Sequence, residues 1–150
     1  MRRVLCALSV FGLATTLFAA SPFEGTWKLN SAKSKYTKGA VPKEETIVIA
    51  SQGDQFQITI TGTDGSGSPI ALKYTVPASG GAGKVTDGPY DGVSWKVTDA
   101  NTRDVTYLKG GKDIRTTHAI VSKDGKSMKA ATKGLDAQGK PVAGTMVFDK

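Results

Sequence analysis

Phe56-Gln57-Ile58-Thr59-Ile60-Thr61 alternates apolar and polar residues without a fault, and Ile70-Ala71-Leu72-Lys73-Tyr74-Thr75-Val76 and Val93-Ser94-Trp95-Lys96-Val97 keep the same period of two. Side chains of an extended chain point alternately to its two faces, so each segment is a strand with one apolar and one wet face. Weaker segments of the same kind run over Glu45 to Ala50, Asp104 to Leu108, Asp113 to Ser122, Ser127 to Lys133 and Val142 to Phe148. Short polar turns separate nearly all of them: Gln52-Gly53-Asp54, Asp99-Ala100-Asn101, Gly110-Gly111, Asp124-Gly125 and Gln138-Gly139. Such links suit an antiparallel meander. No segment carries an apolar stripe with the helical period. A sheet of this many strands removes its unpaired edges most economically by closing on itself. The pattern predicts an all-β fold, an antiparallel up-and-down β-barrel of about 8–10 strands.

Before the first strand, Met1-Arg2-Arg3 is basic and Val4 to Phe18 is an apolar run too short, with those flanks, for a membrane span. This reads as a cleaved signal peptide over residues 1–20, followed by one domain over residues 21–150 and a periplasmic or secreted location. An uncleaved N-terminal anchor is the alternative. The sole cysteine, Cys6, belongs to the leader, so the domain is held by burial and sheet hydrogen bonds without a disulfide. Loss of Arg2 and Arg3 takes the basic count from 20 to 18 against 13 acids, a formal charge of +5. Export and the lack of an aromatic and basic pattern on one strand argue against a nucleic-acid partner. A monomer is expected.

Phe23-Glu24-Gly25-Thr26-Trp27-Lys28-Leu29-Asn30 opens the domain, with Phe23, Trp27 and Leu29 able to face one way and Gly25 leaving room for a close approach. Gly25-Thr26-Trp27-Lys28-Leu29 resembles the Gly-x-Trp first strand of the calycin superfamily, the lipocalins and fatty-acid-binding proteins, in which the Trp plugs one barrel end. The domain also resembles small secreted bacterial lipocalin-like proteins of uncharacterised role, which close on a hairpin like Gly139-Lys140-Pro141-Val142. The resemblance implies a barrel and, by analogy, a lumen for a small molecule. The chain departs from the fatty-acid-binding pattern in two places. Ser31 to Glu45 is polar, with Gly39 and Pro42 where a helix pair would stand, and Thr145-Met146-Val147-Phe148 lacks an Arg-x-Tyr carboxylate anchor.

Closure would gather the apolar faces of separate strands around one lumen. Its expected walls are Phe56, Ile58, Ile60, Leu72, Tyr74, Trp95 and His118, with the small Ala130 and Gly144 leaving volume unfilled. His118, the single histidine, shares a face with Ile114 and Ile120; from there it could orient a polar ligand group or, as in nitrobindin-like barrels, ligate haem. A structural or exposed histidine is the plainer reading. No cofactor, metal site or catalytic dyad or triad is expected, since nothing pairs the Asp, Glu, Ser and Lys residues at a recognisable spacing. Pro77 to Gly83 reads as a linker because no helix follows its glycines, and Asp87 to Gly92 reads as a turn rather than a calcium loop.

Three functions fit these features. An exported barrel holding a small apolar or amphipathic molecule is the first. Without an obvious buried cationic anchor of the Arg-x-Tyr kind, its binding would rest on apolar burial. The second is an envelope or extracellular interaction module with a filled interior, which binds through loops or through the segment of Lys28, Lys33, Lys35, Lys38 and Lys43. That segment could make weak contact with anionic surfaces, although solvated lysines explain it as well. An enzyme is third. The interior discriminates the first two: a cavity of a few hundred cubic ångströms favours the carrier, a packed core the module.

Overall fold

The structure, a computed structural model, describes residues 19–150. The expected leader therefore lies, except for its last two residues, outside the described residues. The strands are β1 (Gly25–Leu29), β2 (Lys35–Lys38), β3 (Glu44–Gln52), β4 (Gln55–Thr63), β5 (Pro69–Pro77), β6 (Gly81–Asp87), β7 (Gly92–Asp99), β8 (Thr102–Lys109), β9 (Lys112–Val121), β10 (Ser127–Leu135) and β11 (Pro141–Asp149). From β3 to β11 every strand pairs antiparallel with the next, and β1 lies between β3 and β11, which closes ten strands into a barrel. The alternation in β4 and β5 sets the register. Ile58 stands opposite Ile49 and Tyr74, and Ile60 opposite Ile47 and Leu72, so the apolar faces of three strands coincide.

The first strand is broken. β1 pairs with β3; the chain then turns through a short 3₁₀ segment, Ser31–Lys33, and β2 pairs with β11 instead. Asn30 fixes the bend. Its side-chain oxygen accepts from Lys33 N at 3.2 Å, and its Nδ2 donates to Asp149 Oδ2 at 2.7 Å. Among the described residues β2 has no hydrogen-bonded strand on its other side, so the wall is open between β2 and β3.

Because the strands run up and down, the turns divide between two ends. The turns β3–β4, β5–β6, β7–β8 and β9–β10 gather at one end, and β4–β5, β6–β7, β8–β9, β10–β11 and residues 39–43 at the other. The first end is plugged. Trp27 is fully buried, and its Nε1 donates to Phe23 O at 2.8 Å. Phe23 and Phe56 pack on Trp95 with ring centroids 6.2 and 5.9 Å apart. Cations cap the aromatic layer, with the Arg103 guanidinium 4.8 Å from the Phe23 centroid and Lys150 Nζ 4.8 Å from that of Trp27. The space beside Gly25 is filled by the Lys150 side chain rather than by an approaching backbone, and its φ of +125° is one that side-chain-bearing residues rarely adopt.

Two strands depart from the sequence reading. Pro77 to Gly83, expected to be a linker, turns tightly and already enters β6 at Gly81; the polar segment after Asn30 contributes β2. Neither alternates apolar with polar, because glycines and lysines fill their positions and neighbouring strands supply the burial.

A candidate ligand-binding lumen

Above the plug the barrel encloses a cavity of about 1030 Å³ that opens among the loops of the other end. Its walls are largely apolar. Ile58, Ile60, Leu72, Tyr74 and Trp95, all expected there, line it together with Ile47, Ile49, Val105, Ala119 and Met128. Ala130 lines it too. Trp95 Nε1 donates to Tyr74 Oη at 3.2 Å, satisfying two polar groups within the wall. Phe56 is buried but belongs to the plug, not to the cavity wall.

His118 is corrected. The inward residues of β9 are Arg115, Thr117, Ala119 and Val121, matched across the ladder to Tyr107, Val105 and Arg103 of β8. His118 falls on the outer face, where its Nδ1 meets Asp104 Oδ1 at 2.5 Å, and its side chain is 48% exposed. It cannot reach a ligand in the lumen, haem included. Ile120, from the same expected wall, is 44% exposed.

The residues that take its place give the lumen a charge. Arg115 reaches the cavity near its mouth, with its Cζ 4.4 Å from the Tyr107 ring centroid and 5.3 Å from that of Tyr90. Its Nε is buried without a hydrogen-bond partner. Arg103 lines the cavity from the plugged end, and its Nε is likewise buried without a partner, but its Nη1 donates to Asp99 O at 2.6 Å and Thr102 O at 3.1 Å. The last strand carries no Arg-x-Tyr pair, as expected, but β9 puts the Arg115 guanidinium in the cavity wall. Glu45 lines the same cavity from β3, half-buried. Burial in the surrounding protein pushes its pKa up to about 7, with Arg115 opposing. Tyr36 enters from β2 over Gly144, where any side chain would collide with its ring. Burial raises the Tyr36 hydroxyl to about 12 and that of Tyr90 above its ordinary value, so both stay neutral at physiological pH.

None of Arg115, Glu45, Tyr36 and Tyr90 was among the expected wall residues. A single signal pointed that way: Arg115, Thr117 and Ala119 share the face opposite to His118. Lys28, Lys33, Lys35, Lys38 and Lys43 are all exposed on the outside. No protein-family model matches the chain and no curated protein matches it, so its likeness to lipocalins rests on the Gly25-x-Trp27 opening and the closed antiparallel barrel.

Proposed function

We propose that this protein is an exported carrier that binds a small amphipathic molecule in the barrel lumen, without catalysis. The observation that carries the reading is the cavity of about 1030 Å³, largely apolar in its walls and open at one end. That volume lies at the upper limit of the range usual for small-molecule sites, whereas a barrel used only through its outer surface has no need of it. Export rests on the basic Met1-Arg2-Arg3 and the apolar run after it. Apolar burial supplies about 25 cal/mol per Å² removed from water, and ordering and desolvation offset part of this, so affinities near micromolar are expected.

Trp95 lines the lumen, while Trp27 is sealed in the plug. Titration with dodecanol or retinol should therefore change tryptophan emission with saturation in the range of roughly 1 to 10 micromolar, and Trp95→Phe should remove the change. Emission indifferent to every such compound up to about 100 micromolar sinks the carrier reading and favours an interaction module.

A further inference from the structure

Of the cations that line the lumen, Arg103 lies at the plugged end and Lys140 is exposed on the rim, whereas Arg115 is set inside the mouth, and its position leaves it unfinished. The Tyr107 and Tyr90 rings lie against the guanidinium. The N–H groups of a guanidinium all lie in its plane, so it forms hydrogen bonds only along its planar edge. On that edge Nε has no acceptor. Glu45 does not supply one, because among the described residues His118 and Asp104 are the only ion pair with N···O within 4.0 Å. A buried donor left without a partner costs stability, and a fork of parallel N–H groups matches a planar carboxylate in two-point contact. Below Arg115, the inward Thr117 and Ala119 of β9 and Val105 of β8 lead down to Trp95 and Met128. The lumen is thus polar and cationic at its mouth and apolar through its middle, with Arg103, its Nη1 bonded to Asp99 O and Thr102 O, at the plugged end.

Resting on the carrier reading, we infer that the ligand is an amphiphile with a carboxylate head, held at the mouth by Arg115 with its tail toward the plug, and that Glu45 competes with that head for the guanidinium. The competition gives binding a direction in pH. An ionised Glu45 repels a second carboxylate and shares the field of Arg115; a protonated Glu45 does neither. The group titrates near neutrality because of its burial, so affinity for a carboxylate falls as pH rises through about 7. The other titratable groups around the mouth come from several elements. Tyr36 on β2 and Tyr90 from the β6–β7 loop are held neutral by burial, as is Tyr74 deeper in the wall. Tyr107 on β8 is a phenol stacked on Arg115. The Asp64 and Asp136 carboxylates accept from backbone N–H groups of their own turns, and Asp87 and Lys140 are exposed on the rim.

The test compares dodecanoate, dodecanol and dodecylammonium on the purified protein by tryptophan emission, at about pH 6 and about pH 8.5. At the lower pH, dodecanoate should bind about tenfold or more tighter than dodecanol, and dodecylammonium weakest. Arg115→Gln should bring dodecanoate down to the level of dodecanol, and Arg115→Lys, which keeps the charge but not the fork, should fall between. Raising the pH should weaken dodecanoate several-fold without moving dodecanol, and Glu45→Gln should abolish that dependence. The wild-type head-group comparison stands by itself if a variant fails to fold. Equal affinities for the three compounds, or a dodecanoate preference that survives Arg115→Gln, would overturn the anchor and leave the carrier standing. Binding of none of them overturns both.

Discussion

Glu45 is an acid placed where little water can solvate its charge. Burial takes its pKa from 4.5 to about 7, with the Arg115 guanidinium pulling the other way. In the unfolded chain the carboxyl ionises near its ordinary value. Between the two values the unfolded state has therefore already lost the proton that the folded state keeps. Stability is fully present below about pH 4.5, declines as the pH rises and levels off above about 7. Glu45→Gln should match the wild type in acid and exceed it at about pH 8 by no more than about 3 kcal/mol, measured by denaturant unfolding. A gap between the two that is constant across this range contradicts the assignment. The same region shows what the sequence conveyed and what it did not. Ile58, Ile60, Leu72, Tyr74 and Trp95 were legible as wall residues because their strands have one unmistakably apolar face. On β9 both faces carry aliphatic groups, Ile114 and Ile120 on one and Ala119 and Val121 on the other. A face that must also present Arg115 and Thr117 to a lumen looks the wetter of the two, so reasoning from hydrophobicity selects the His118 side.

Among the strands, β6 has the fewest reasons to exist by itself. It holds Gly81, Ala82, Gly83, Lys84 and Val85 in its first five positions, and no alternation announces it. Three residue pairs tie it to β5 and three to β7. What places it is proximity. A side chain at Gly83 would overlap the Thr75 carbonyl oxygen and crowd the Val93 and Val76 side chains. Gly83→Val should accordingly cost about 1 to 3 kcal/mol in thermal or chemical unfolding, through strain rather than lost burial. A cost below about 0.5 kcal/mol would mean that β6 can shift away from both neighbours at no penalty. β2 escaped the sequence for a related reason. Lys35, Thr37 and Lys38 are exposed and only Tyr36 turns inward, so a four-residue strand has a single residue to signal it.

At the scale of the whole molecule, lysines are spread over the outside of the barrel, while an arginine, an acid and tyrosines gather inside its mouth. The overall architecture was readable because period-two segments and short polar turns recur along most of the domain. The lumen's chemistry was not, because it depends on which face of each strand turns in once the sheet closes. That closure also has a consequence in time. β3 and β4 share nine registered pairs, as do β4 and β5, whereas β1 meets β11 only through Lys28 with Asp149 and Leu29 with Phe148. The contact joins segments 119 residues apart, as the Asn30–Asp149 bond shows. Bringing such distant segments together carries a large loop-closure entropy while few contacts offset it, so the last stave should be set late in folding and loosened early. In native-state hydrogen exchange, the amide of Asn30, bonded to Val147 O at 2.7 Å, should open with a smaller protection factor than those of Ile58 and Tyr74. Equal protection would show the cylinder opening as one unit. Preferential exchange there would mean that the molecule breathes along its side, between its first and last strands, while the hoop of central strands holds.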